Sequence, residues 1–166
     1  MYEVINLNLS QKEKMLLQDQ KTHEEICIEK YTNYAGQAQD PQLKDMFNTY
    51  AGQEKQHLNT INQILSGSVP QMGGGAQNQQ AKQQSNQQAV QNKGNQTGMS
   101  NQNDAKLCND LLMTEKYVSG TYDTAIFEFA DSDIRNVLNH IQKEEQQHGE
   151  GILNYMQNSG MYSIQQ

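Results

Sequence analysis

The chain has 166 residues, enough for one domain of ordinary size or two very small ones. Only 34% are hydrophobic, there is no Trp, and mean hydropathy is -0.92, a composition that on its own admits partial disorder. The formal net charge of -7 argues against a nucleic-acid phosphate backbone as partner, and no apolar run approaches the roughly 20 residues of a membrane span.

The first segment, Met1 to Lys14, lacks the basic and apolar regions of a signal peptide, so synthesis in the cytoplasm without one is expected. Ser10-Gln11-Lys12-Glu13 fits a capping box, in which hydroxyl and carboxylate satisfy backbone donors at a helix start. After it, Leu17, Glu24, Cys27, Ile28, Tyr31, Tyr34, Ala35 and Ala38 recur at the spacing of one helix face. Asp40-Pro41 supplies an N-cap and a proline at the first helical position, so a second helix begins there. Its inner face reads Leu43, Phe47, Tyr50, Glu54, His57, Leu58, Ile61 and Leu65, and Ser66-Gly67 marks its stop.

The 38 residues from Ser66 to Asn103 hold 11 Gln, 6 Asn and 6 Gly, with Lys82 and Lys93 their only charges. They read as a low-complexity flexible linker over 67–103, long enough for either a full-length crossover or a simple return. Their amides and amines also suit isopeptide cross-linking. What remains is 128 residues carrying 10 Lys+Arg against 19 Asp+Glu, a net of -9.

Beyond the linker the plan repeats. Asp104 is a candidate cap for a helix with Leu107, Leu111, Glu115, Val118, Tyr122, Ala125 and Phe129 inside. Asp131 caps the last helix, whose inner face is Ile134, Leu138, Ile141, Glu145, His148, Ile152 and Met156. Four amphipathic helices with no strand-period segment predict an all-α four-helix bundle. It would be one domain over 1–166, with hairpins at 10–66 and 104–158 and a tail at 159–166. The hairpins are related by an offset of 91 residues: Asp19 falls on Asp110, Glu24 on Glu115, Tyr31 on Tyr122, Asp40 on Asp131, Glu54 on Glu145 and His57 on His148.

Glu54-Lys55-Gln56-His57 and Glu145-Gln146-Gln147-His148 are both Glu-x-x-His, which places a carboxylate and an imidazole on adjacent turns of one helix face. Glu24 and Glu115 each lie 30 residues earlier, on the apolar stripes of the other two helices. Four carboxylates in one layer of a core are untenable as bare anions, since even one unpaired buried charge costs several kcal/mol, on the order of 5. Two divalent cations would cancel them. The expected ligands are Glu24, Glu54, His57, Glu115, Glu145 and His148, an oxygen-rich set with two imidazoles that suits two ions of iron or manganese.

Tyr31 and Tyr122, two turns beyond Glu24 and Glu115, read either as core tyrosines with satisfied hydroxyls or as donors to the ligand carboxylates. His23 and His140 fall one position off the inner stripes and read as surface residues. Glu25, Glu29, Glu128, Glu144 and Glu150 read as solvated. Cys27 and Cys108 have no symmetric partner thiol and read as small core residues in a reducing cytosol.

The run LLQDQKTHEEICIEKYTNYAGQAQDPQLKDMFNTYA, with LCNDLLMTEKY, TYDTAIFEFAD and IQKEEQQHGEGILNYM, resembles the coat F family of spore coat proteins from endospore-forming bacteria. The resemblance implies a ferritin-like fold, a spore coat location, a structural or assembly role, and other coat proteins as partners; a homo-oligomer is compatible with it. The metal set separately resembles the rubrerythrin branch of the ferritin-like superfamily, with Tyr31 at that branch's tyrosine position. There is no Cys-x-x-Cys pair of the kind a rubredoxin-type domain uses, so a peroxidase cycle would need an outside reductant. The alternative reading is a di-iron or di-manganese oxidoreductase of peroxidase, oxidase or catalase type that protects against peroxide.

Overall fold

A computed structural model describes residues 7–70 and 101–162. The centre of the polar stretch, with Lys82 and Lys93, lies outside the described residues, and with it the expected flexibility and cross-linking of the linker. The described residues form four α-helices: α1 Gln11–Gln37, α2 Pro41–Leu65, α3 Asn101–Glu128 and α4 Ser132–Asn158. No strand occurs among them.

Local chemistry accounts for most helix ends. At α1 the Glu13 amide donates to Ser10 Oγ (3.1 Å) and the Ser10 amide donates to Glu13 Oε2 (2.8 Å), the reciprocal capping box expected from the sequence. Asp40 accepts from the Gln42 amide with Pro41 opening α2, and Asp131 accepts from the amides of Asp133 and Ile134. The α2 and α4 helices both stop in a Schellman arrangement. Gly67 (φ 88°) and Gly160 (φ 70°) take the left-handed conformation there, and the next amides, of Ser68 and Met161, reach back to the carbonyls of Gln63 and Met156.

One start differs from expectation. The α3 helix begins at Asn101, so Asp104 is not its cap. Asp104 is buried within the first turn and accepts from the backbone amides of Gln39 (2.9 Å) and Asp40 (3.0 Å), in the turn between α1 and α2. Its counterpart at the 91-residue offset is Glu13, which accepts from the Ala130 amide (3.1 Å) in the turn between α3 and α4. Each hairpin turn is therefore held by a carboxylate from the first turn of the other hairpin, which satisfies part-buried turn donors that no helix carbonyl reaches.

These contacts also set the topology. The start of α1 lies beside the end of α3, and the start of α3 beside the end of α1, so the two run antiparallel. With α1–α2 and α3–α4 packed as hairpins, α2 and α3 point the same way. The connection between Pro70 and Asn101 thus joins opposite ends of the bundle. The 25 residues of α2 alone span about 37 Å, and linker length by itself left this choice open.

The core is divided in two. Leu17, Ile61, Ile64, Phe129, Ile134 and Leu138 fill one end, and Leu43, Phe47, Leu107, Leu111, Ile152 and Met156 fill the other. Cys27 and Cys108 are free and fully buried in these clusters, as small core residues. Val137, Tyr155, Ala51 and Ile64 join the core beyond the expected stripes, whereas Ile28, Tyr34, Tyr50, Leu58 and Leu65 are only half-buried.

Candidate metal centre

Between the two apolar clusters lies a layer of charge. Glu24 from α1, Glu54 and His57 from α2, Glu115 from α3, and Glu145 and His148 from α4 are all no more than 3% exposed. Their potential ligand atoms form two groups, in each of which all the atoms lie within 4.8 Å of one another. One group is Glu24, Glu54, His57 and Glu145; the other is Glu54, Glu115, Glu145 and His148. Glu54 and Glu145 belong to both, so the arrangement is two half-sites sharing two carboxylates.

The imidazoles are oriented by what lies behind them. His57 Nδ1 faces the carboxylates of Glu54 (3.0 Å), Glu145 (3.3 Å) and Glu24 (3.7 Å), while its Nε2 meets Glu144 Oε2 at 2.7 Å. His148 Nδ1 faces Glu54 (3.1 Å), Glu145 (3.3 Å) and Glu115 (3.4 Å), while its Nε2 meets Gln53 Oε1 at 2.7 Å. The outer nitrogen of each ring is thus anchored from the opposite hairpin, the kind of partner that fixes the tautomer and direction of a metal-ligating histidine. The tyrosines cross over in the same way: the Tyr31 hydroxyl donates to Glu115 and the Tyr122 hydroxyl donates to Glu24. Both sequence readings of these residues meet here, since each is a fully buried core tyrosine whose hydroxyl is satisfied by a candidate ligand.

Even so, the donors present do not satisfy the layer. Glu24 Oε2, Glu115 Oε2 and both oxygens of Glu145 are buried without a hydrogen-bond partner. Among the described residues no lysine or arginine pairs with any of the four carboxylates. Burial pushes the carboxyls of Glu24 and Glu115 well above the usual range, against the pull of His57 and His148. For Glu145, burial acts in the same direction, but His148 and His57 on either side outweigh it and hold its carboxyl well below that range. Burial opposes the charge on His148, yet Glu115, Glu145 and Glu54 carry it up to about 12; His57 is likewise raised by Glu144 and the ligand carboxylates. Protons are therefore the only cations this layer supplies for itself, and they leave four inward oxygens unmatched. The donor set and these orphaned oxygens fit two divalent ions.

Three residues at the centre have a part there that the sequence reading does not give them. Glu144, expected to be solvated, is half-buried against His57, and half-exposed His140 lies 3.4 Å from it. Gln53 occupies the equivalent place behind His148. The signal that could have found them is positional: both immediately precede a Glu-x-x-His glutamate, and the 91-residue offset relates them. Tyr50, expected on the inner face, stacks on His148 with ring centroids 4.4 Å apart. The remaining expectations are simpler: His23 packs edge-on against Tyr117, and Glu25, Glu29, Glu128 and Glu150 are exposed.

A cavity of about 360 Å³ opens between α3 and α4, walled by Leu112, Ser119, Gly149 and Leu153 and reaching Glu115 and Glu145. No helix among the described residues is long and apolar enough to cross a membrane.

No curated protein and no solved structure matches the chain. Residues 103–165 match the Coat F domain, a range that takes in nearly all of α3 and the whole of α4 with its two ligand candidates. The first hairpin, whose phrases also resemble the family, lies outside that range, and it is the second hairpin that carries the similarity to the coat F family.

Proposed function

We propose that this chain is a spore coat protein built as a single ferritin-like domain, with a structural or assembly role among other coat proteins and a dinuclear iron or manganese centre in its core. The coat assignment rests on the Coat F domain. The metal assignment rests on one observation: four buried carboxylate oxygens without partners, in two ligand groups that share Glu54 and Glu145. Glu24 and His57 would hold one ion, Glu115 and His148 the other, and Glu54 and Glu145 would serve both. Such a pair of ions supplies Lewis-acid and electron-transfer chemistry toward dioxygen or peroxide. The chain's own residues position the centre: Tyr31 and Tyr122 orient Glu115 and Glu24 through their hydroxyls, Glu144 and Gln53 orient the imidazoles, and the apolar clusters on both sides exclude water.

Elemental analysis of protein purified from cells supplied with iron and manganese tests this reading. Two metals per chain are expected, falling to none in Glu54→Ala/Glu145→Ala, which removes both shared ligands, and to about one in Glu24→Ala. A wild-type chain without metal overturns it. The oxidoreductase reading is favoured by the cavity that reaches Glu115 and Glu145, and peroxide turnover by the loaded protein, lost in the double variant, distinguishes a catalyst from a structural ion.

A further inference from the structure

The internal duplication makes each side of the centre a reference for the other. The two groups of ligands match position by position, but the outer walls do not. On the α3–α4 side the residues between the centre and solvent include Ser119 and Gly149, and the cavity lies against them. On the α1–α2 side the same positions, 91 residues earlier, are Ile28 and Leu58, both half-buried. A branched aliphatic and a leucine stand where the other hairpin has a hydroxymethyl group and no side chain at all.

The geometry points to a one-sided entrance: the α3–α4 cavity is the site through which a small neutral molecule, of the size of dioxygen or hydrogen peroxide, reaches the centre. This inference rests on the dinuclear reading above. The floor of the cavity is made by Glu115 and Glu145, 3% and 0% exposed, whose unpartnered oxygens are Glu115 Oε2 and both of Glu145. These are groups that await a ligand, at the end of a passage that leads to solvent. The walls above them are chiefly Leu112 and Leu153, which give an ion nothing to exchange for its water. The rim carries one cation and one anion, exposed Lys116 and Glu150, so it selects neither sign of charge. About 360 Å³ is ample for a diatomic or triatomic molecule with several waters, each of which takes about 30 Å³ of liquid volume.

The duplication also supplies the test. Ser119→Ile/Gly149→Leu copies the bulkier α1–α2 residues onto the α3–α4 wall. At Gly149 a new Cβ would meet Leu112 Cδ1 at 3.7 Å, an ordinary contact, so the first atom of a new side chain fits without displacing its neighbours. The wild-type and variant proteins are loaded with ferrous iron, their metal content is measured, and nitric oxide is used as the neutral diatomic probe in stopped-flow absorbance. With two irons retained, nitric oxide binding at least tenfold slower in the variant is expected. An unchanged rate at full iron content overturns the entrance while leaving the metal centre standing, and wild-type protein without iron overturns both. Should the double variant lose iron, Gly149→Val alone carries the same test.

Discussion

The two hairpins hold their candidate ligands alike but surround them differently. The α1–α2 hairpin places an amide, Gln53, behind His148 and lays the Tyr50 ring on that imidazole. The α3–α4 hairpin places a carboxylate, Glu144, behind His57, and Ile141 stands at the position equivalent to Tyr50. A carboxylate on the outer nitrogen draws the imidazole proton toward itself and makes the inner nitrogen a stronger donor; an amide does this far less. A duplicated fold can thus present two similar half-sites while giving each its own electronic character, because the groups that tune a ligand are separable from the ligand.

The most direct way to break this difference is to exchange the two groups. Gln53→Glu should tighten the half-site of His148 and Glu144→Gln should weaken that of His57, each by about 10- to 100-fold in metal affinity, the usual scale for such partners. Titration calorimetry with manganese should resolve two steps in the wild type. These should converge in the variant that carries glutamates at both positions. Equal steps in every variant would show that Gln53 and Glu144 do not tune the ions.

Much of this layout was legible beforehand for a definite reason. Helical caps and stripes are local, and six ligand candidates repeated at one offset are too many to dismiss. Glu144 reads as solvated because a glutamate one position before a buried glutamate has the pattern of a solvent-facing residue. Only the approach of α2 from the other hairpin brings His57 to it. Asp104 looked like a cap because acids favour that place, yet its carboxylate is used 65 residues away in sequence. The direction of α3 was equally hidden, since it depends on where Glu13 and Asp104 dock and not on any pattern within a helix.

That pair of docking carboxylates is where the hairpins resemble each other most, and removing one at a time tests whether the likeness is energetic too. Glu13→Ala and Asp104→Ala should each cost about 1–3 kcal/mol in urea unfolding, since each removes a charged acceptor that holds two part-buried amides. In Asp104→Ala both released amides belong to the opposite turn, so hydrogen exchange should quicken at Gln39 and Asp40. In Glu13→Ala it should quicken at Ala130 and at Ser10. Acid should imitate the Glu13 change. Burial opposes the charge on Glu13, but the amides of Ser10 and Ala130 outweigh it and hold its carboxyl below the ordinary value of 4.5. Its contribution is then complete above about pH 4.5 and is lost as pH falls through the lower folded value. The stability gap between wild type and Glu13→Ala should close over that interval.

The smallest effect concerns the ring over His148. The Tyr50 hydroxyl lies where a Cβ on Gly151 would stand, so Gly151→Ala must push the ring aside. The atom displaced is the far end of a side chain that can swing, so the cost should be no more than the stack itself, about 0.5–1.5 kcal/mol. The other hairpin provides the control: position 60, equivalent to Gly151, is already Thr, and no aromatic ring stands at position 141. Thr60 is half-buried and its hydroxyl donates only to the Gln56 carbonyl of its own helix, so Thr60→Ala should leave stability and the tyrosine near-ultraviolet signal nearly unchanged. Gly151→Ala should alter that signal at nearly full stability. If the two variants behave alike, Tyr50 is a bystander beside His148, and the half-sites differ only in the amide and carboxylate behind their imidazoles.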